Sequence, residues 1–251
     1  LETQFAKIDL TEKLHDRITR TLALRVIRVE RAGELAHFPN EAELCQQLGV
    51  SRSILREAVK VLTDKGMLEV RPRSGTRSKP KSEWNLLDPD ILAWEAQLQP
   101  EPQFLRNLCE VRLAIEPTAA GFAALRATPD ELGRIGLCLE RREVTAGPEN
   151  LEEVIELDLQ FHEEVMAASH NPLLKQLSAI IRQPFRMALS YTSRLPASSA
   201  LGLAAHWSLF EALQRHDPLA ARSASEEVVG LAMLAVEQVI RFQENQKQKE
   251  P

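Results

Sequence analysis

Residues 39–76 read PNEAELCQQLGVSRSILREAVKVLTDKGMLEVRPRSGT, and their punctuation decides the fold. Asn40 stands three residues before Glu43, an Asn-x-x-Glu version of the capping box that opens a helix. Gly49 stops that helix. After a three-residue break, Ser51 caps a second one, whose apolar positions Ile54, Leu55, Ala58, Val61 and Leu62 share a face and which Gly66 ends. From Met67, MLEVRPRSGTRS reads as a short strand, a turn around Ser74-Gly75 and a returning strand. Upstream, Leu14, Ile18, Leu22 and Val26 line one face of a helix from Leu10 to about Glu30. A helix pair joined by a tight turn and followed by a hairpin is a winged helix-turn-helix.

The charge distribution agrees with that assignment. The whole chain of 251 residues carries a net charge of −5, but residues 1–81 hold 16 Lys and Arg against 11 Asp and Glu. Residues 51–81 alone hold 9 against 3, and everything beyond residue 81 is acidic, with 15 against 25. A basic module joined to an acidic body suits a polyanion-binding part and a part with another task. In such a motif the second helix of the pair enters the major groove by its N-terminal end. Turning the apolar stripe inward leaves Arg52, Ser53, Arg56 and Lys60 outward. Arg52 and Arg56 are one turn apart, and arginine is the side chain best matched to guanine O6 and N7 or to phosphate. Ser51 and Ser53, with the N–H groups of the helix start, suit a phosphate. In the hairpin, Arg71, Arg73, Arg77 and Lys79 bracket Gly75, which allows the backbone close to DNA. The alternative is a helix pair and hairpin that serve only packing.

Beyond a polar connector at 80–83 nearly every segment has helical period, and strand signals are absent. Segments near 84–97, 101–126, 129–143, 150–169, 172–194, 199–215 and 217–244 are separated by breakers such as Thr128-Pro129, Asn171-Pro172 and Asp217-Pro218. The expected architecture is mainly α: a winged helix-turn-helix over 1–79, a linker at 80–83, and an antiparallel all-α bundle of six or seven helices over 84–251.

Composition removes other classes. The chain is 44% hydrophobic and 27% charged, which excludes a largely disordered polypeptide. No apolar run approaches the ~18 residues of a membrane span. LETQFAKIDL at the start has no signal-peptide core, and it lacks an initial Met, as a processed chain would. Three scattered cysteines, Cys45, Cys109 and Cys138, argue against a disulfide framework or a CxxC zinc site, so a reducing cytoplasm is expected.

The helix near 150–169 carries Asp158 and His162 four apart, close to the apolar side marked by Val154, Leu157, Phe161 and Val165. A carboxylate and an imidazole one turn apart can hold a divalent cation such as Zn, Ni or Mn, above all if another helix adds His206. The alternative is a structural Asp–His hydrogen bond. Arg112 sits among Val111, Leu113, Ala114 and Ile115, where an unpaired guanidinium would be costly. Pairing with Glu116 at i,i+4 is the bland reading of it, and capture of an anionic ligand the functional one. Asn171 and Arg186 are further candidates for polar contact with the same ligand.

The 39–76 stretch resembles the winged helix of the GntR family of bacterial repressors, on its SR-x-x-x-RE-A core, its L-x-x-x-G step and its R-x-G-T wing. The resemblance extends over roughly residues 10–79 and implies operator contacts by Arg52, Arg56 and Gly75, with Ser51 and Ser53 beside them. Where many relatives have an arginine in the pre-turn helix, this chain has Ala42. Residues 84–243 resemble the helical ligand-sensing domain of the FadR subgroup, on EVRLAIEPTAA (110–120), DLQFHEEVMAASHNPLL (158–174) and AHWSLFEALQRHDPLAAR (205–222). WNLLDPDILAW (84–94) looks like the linker of the sugar-acid-sensing, galactonate-type members. The resemblance implies a metal site of Asp158, His162 and His206, with Val228 at the position of a fourth histidine. It also implies an arginine, Arg112, facing a carboxylate effector. The expected protein is therefore a cytoplasmic homodimeric repressor that binds double-stranded operator DNA and is released by a small sugar acid. The rival is a metal-dependent helical enzyme acting on small organic acids. No HExxH, GxSxG or Gly-rich phosphate loop supports that rival.

Overall fold

The computed structural model describes residues 14–71, 75–145, 148–193 and 196–247, and the chain divides into two compact units, Leu1–Leu98 and Gln99–Pro251.

The first unit contains α1 (Leu14–Arg31), α2 (Glu41–Leu48), α3 (Arg52–Asp64), the strands β1 (Leu68–Arg71) and β2 (Gly75–Ser78), and α4 (Pro89–Ala96). The sequence punctuation acts as expected. Asn40 Oδ1 accepts the Glu43 N–H at 3.0 Å, Gly49 turns the chain at φ +66°, and Ser51 Oγ accepts the Ile54 N–H at 3.4 Å. Gly66 is needed twice over. Its φ is +77°, and a Cβ there would lie 2.5 Å from the Glu83 carbonyl oxygen. The strands pair antiparallel, Leu68 opposite Ser78 and Arg71 opposite Gly75. The expected turn residues Arg73 and Ser74 lie outside the described residues, as do residues 10–13 of the expected first helix. Ile18, Leu22 and Val26 are buried, as the spacing implies, whereas Leu14 is 46% exposed at the start of α1.

The unit boundary departs from the sequence reading. A linker at 80–83 would place α4 with the bundle, but Trp84, Ile91 and Trp94 are buried in one core with Ile27, Leu62 and Met67. The Trp84 indole N–H donates to the Lys79 carbonyl at 2.9 Å. Lys65, just past α3, meets Asp88 at 2.7 Å and Asp90 at 2.8 Å. The large apolar surface of two tryptophans needs a core to bury it, and the nearer core is that of the winged helix.

The second unit is built of α5 (Pro102–Arg126), α6 (Pro129–Val144), α7 (Leu151–Ala168), α8 (Pro172–Thr192), α9 (Pro196–Gln214) and α10 (Pro218–Lys247), six helices among the described residues. The X-Pro breakers turn out to be helix starts. Thr128 and Glu131 form a reciprocal capping box, Asn171 Oδ1 accepts from Leu173 and Leu174, and Asp217 Oδ1 accepts from Leu219 and Ala220. In each case proline takes the first helical position, where its missing N–H costs nothing. α5 is rich in small buried residues: Ala119, Ala120, Ala123 and Ala124 are fully buried, and a Cβ at Gly121 would lie 2.5 Å from Arg222 of α10. Phe161 of α7, Ile135 and Leu139 of α6, and Leu209 and Leu213 of α9 fill the same core.

Candidate functional site

Two surfaces carry chemistry, one in each unit. On the first, Arg52, Ser53, Arg56 and Lys60 are all exposed along α3 while Leu55, Ala58 and Leu62 point into the core, so the helix has the orientation its pattern demanded. Gly75 opens β2 at φ +80°, exposed. Ser51 Oγ and Ser53 Oγ lie 2.9 Å apart at the start of α3, with Ser51 also serving as the cap. One partner escaped the sequence reading. Glu41, at the start of α2, accepts from Arg56 Nε at 2.8 Å and lies 3.8 Å from Arg52 Nε. The hydrogen bond from Arg56 holds the Glu41 carboxyl below its ordinary value. Both candidate base-reading arginines thus face the same carboxylate in the free protein, eleven and fifteen residues away. No periodicity argument links those positions.

In the second unit all six described helices contribute to a cavity of about 60 Å³, lined by Arg112, Arg142, Asp158, His162, Phe185, His206 and Val228 among others. Asp158, His162 and His206 are buried and meet there. His206 Nε2 lies 3.2 Å from His162 Nε2 and 3.5 Å from Asp158 Oδ1, and His162 Nε2 lies 3.7 Å from Asp158 Oδ2. Nitrogen and oxygen ligands of a tetrahedral ion at ~2.0–2.2 Å stand roughly 3.3–3.6 Å from one another, so these spacings fit a shared cation.

The outer ring nitrogens fix the protons. His206 Nδ1 is 2.5 Å from the Gly202 carbonyl oxygen, which can only accept, and His162 Nδ1 is 3.0 Å from Glu116 Oε2. Each Nδ1 therefore carries a hydrogen and each Nε2 faces the cavity, where the neutral ring presents a lone pair, the arrangement of a metal-binding histidine held by an outer acceptor. Burial outweighs the attraction of Asp158 and pushes the His206 imidazole down to about 3, so the ring is neutral. Burial alone would raise the Asp158 carboxyl, but Arg142 foremost holds it down to about 2, ionised and able to ligate. Burial likewise opposes ionisation of Glu116, and Arg112 and then His162 overcome it, holding that carboxyl well below the usual range.

The effector candidates need correction. Arg112 is not an unpaired cation awaiting an anion: Glu116, one turn on, takes Nε at 2.6 Å and Nη2 at 3.3 Å, and both side chains are buried. Its guanidinium also lies over the Phe185 ring at 3.5 Å, and Nη2 is 3.3 Å from His162 Nε2. Arg112 does line the cavity; the argument from an unmet charge fails. Asn171 is spent capping α8, and Arg186 pairs with Glu152 and Glu156 at 2.6 and 2.5 Å; neither lines the cavity. Arg142 does, with Nη1 2.8 Å from Asp158 Oδ1. It was missed because ERREV (140–144) reads as a solvated charge run.

A DNA-reading winged helix joined to a helical unit with a buried polar cavity defines a one-component transcriptional regulator. The chain belongs to the GntR family of bacterial regulatory proteins, whose model matches residues 11–77, and the FCD-domain model matches residues 107–230. It is 33% identical over 215 residues to the galactonate operon transcriptional repressor of Escherichia coli K12, covering 84% of this chain and 91% of that one. It is 36% identical over 143 residues to the putative L-lactate dehydrogenase operon regulatory protein of the same organism, covering 55% of this chain and 52% of that one. The solved structure of Lar, which controls expression of the Listeria monocytogenes agr system, aligns with a TM-score of 0.55 at 18% identity. That alignment covers 90% of this chain and 98% of the other, and it is a likeness of fold alone. Among the described residues no helix is long and apolar enough to cross a membrane.

Proposed function

We propose that the protein is a homodimeric, cytoplasmic repressor of a sugar-acid catabolic operon, released from its operator when a small 2-hydroxy carboxylate binds the helical unit together with a divalent transition metal. Arg52, Arg56, Lys60 and the wing from Arg73 to Gly75 would contact DNA, with Ser51 and Ser53 on phosphate. Two half-sites read by two copies would supply the affinity a single small module lacks.

The observation that carries the reading is the pair of imidazoles whose Nδ1 hydrogens are engaged by Glu116 and Gly202, leaving both Nε2 atoms facing Asp158. Those three residues would hold the ion, and the ion would supply a Lewis-acidic contact for a carboxylate and a neighbouring hydroxyl. Val228 lines the same cavity and offers no donor, so coordination is left for a ligand to complete. At about 60 Å³ the cavity has room for roughly two waters, the size of a carboxylate with its adjacent hydroxyl rather than of a whole sugar acid. Two relatives are named for operons of galactonate and of L-lactate dehydrogenase, and galactonate and lactate are both 2-hydroxy acids. The acid can act on DNA binding only by favouring one arrangement of the dimer over another.

The test is a thermal-shift screen of aldonates, lactate, dicarboxylates and acyl chains with and without Mn²⁺, followed by operator release in a mobility-shift assay. Stabilisation and release by hydroxy acids are expected. A response to acyl chains and none to hydroxy acids would refute the effector class, and product analysis on the same samples would expose turnover.

A further inference from the structure

We propose that Arg142 is a gate on the cavity: with no ligand its guanidinium holds the Asp158 carboxylate, and a divalent ion settles only when an acid draws that guanidinium away, so that metal and acid load together. The inference rests on the metal-and-acid reading above and adds the order in which the two arrive.

The geometry is specific. Arg142 sits in the last turn of α6, its side chain 11% exposed, with Nη1 2.8 Å from Asp158 Oδ1 and 3.4 Å from His206 Nδ1. Oδ1 is also the oxygen 3.5 Å from His206 Nε2, so guanidinium and metal would draw on the same carboxylate. Across the cavity Arg112 places Nη2 3.3 Å from His162 Nε2. Setting the imidazoles aside, two carboxylates, Glu116 and Asp158, balance two guanidiniums, Arg112 and Arg142. The cluster is already neutral. A bare dication would add two charges to a buried site next to two cations, an arrangement strongly penalised where water cannot screen it. A hydroxy acid offsets half of the added charge, because its carboxylate meets a guanidinium in the bidentate geometry arginine favours while its other donor atoms complete the ion's coordination. A site with only Asp158, His162 and His206 from the protein, and Val228 alongside, is suited to such a shared loading. Free metal alone would then leave the regulator unswitched.

The measurement is Mn²⁺ affinity by electron paramagnetic resonance on the full chain, wild type and Arg142→Gln, with and without saturating D-galactonate. The wild type should bind Mn²⁺ at least about tenfold more tightly with the acid than without it. Arg142→Gln should bind acid-free Mn²⁺ at least about tenfold more tightly than wild type, with most of the acid dependence gone. Circular dichroism checks folding, and Arg142→Met, of similar reach, replaces the glutamine variant if that one does not fold. Equal or weaker acid-free binding in the variant would overturn the gate and make Arg142 a support for Asp158, leaving the metal site standing. Tighter binding in the variant, with no effect of galactonate on wild type, would keep the gate and reject galactonate as the acid. No Mn²⁺ binding by either protein, with or without the acid, would reject the metal reading and the gate with it.

Discussion

Acid should loosen the helical unit well before its carboxylates protonate, and His206 is the reason. Burial holds this imidazole at about 3, against 6.5 for an ordinary histidine. The unfolded chain therefore binds the proton more readily than the folded one. The stability contributed by the neutral ring is complete above pH 6.5 and is lost as pH falls from 6.5 toward 3. Between pH 8 and pH 5 the unfolded state gains most of a proton at this position while the folded state gains almost none, a linkage worth about 2 kcal/mol. Asp158, at about 2 instead of 3.8, and Glu116, held low by Arg112 and His162, also favour the ionised folded state. Their contributions drain only below about pH 4.5, so the interval from 8 to 5 separates the imidazole from these carboxylates, and a His206 variant separates it from the other five histidines. Urea unfolding of chelator-treated protein at pH 8, 6.5 and 5, followed by far-UV circular dichroism, measures the effect. Wild type should lose about 2 kcal/mol more across the interval than His206→Gln, which cannot take up the proton. Identical losses in the two proteins would show that His206 is not held neutral by burial, and the assignment of its Nε2 as a lone-pair donor would fall with it.

Other expectations follow from single contacts. Arg52→Ala and Arg56→Ala should each weaken operator binding about 5- to 150-fold if each makes a bidentate base contact, read by mobility shift across a salt series; unchanged affinity in both would reject this docking of α3. Glu41→Gln should tighten operator binding severalfold, since it frees Arg56 from its 2.8 Å partner; weaker binding would mean that Glu41 holds the arginines in their DNA-binding pose. Gly66→Ala should destabilise the winged helix by at least ~2 kcal/mol, because an alanine at φ +77° is strained and its methyl would meet the Glu83 carbonyl, with thermal unfolding as the readout. Val228→His should tighten divalent-metal binding by adding an imidazole to a cavity that Val228 already lines, as isothermal titration would report.

The winged helix was legible because its instructions are local. Asn40 caps with Glu43 three residues on, Ser51 with Ile54, and Gly49 and Gly66 mark two of the places where the chain turns left-handed. Each signal lies within one turn of its effect, so a linear reading finds it. The metal-type triad was half legible for the same reason. Asp158 and His162 are one helical turn apart, but His206, 44 residues beyond His162, could be offered only as a candidate from another helix, and resemblance alone tied it to the pair. What reading along the chain could not supply was partnership at a distance. Arg112 with Glu116 is an i,i+4 pair that the spacing already offers, and the structure makes it. Arg142 with Asp158 crosses from α6 to α7, and Glu41 with Arg56 from α2 to α3, and neither has a periodic signature.

The unit boundary shows the same limit with a larger consequence. Residues 80–83 look like a connector, being polar and proline-containing, yet the following helix is anchored at both ends to the winged helix. Lys65 closes on Asp88 and Asp90 at the start of α4, and at its far end the buried Glu95 receives Arg31 at 2.5 Å and Lys81 at 2.9 Å. Between them Ile91 and Trp94 are packed into the core beneath α1 and α3. A helix held by apolar burial and by charged contacts at both ends moves as part of the body it is fixed to. The boundary between the units therefore falls after Leu98, which still packs against the first core, and not in the polar stretch after the wing. Lys65 ties the start of α4 to the C-terminal end of α3, the helix whose other end presents Arg52 and Arg56.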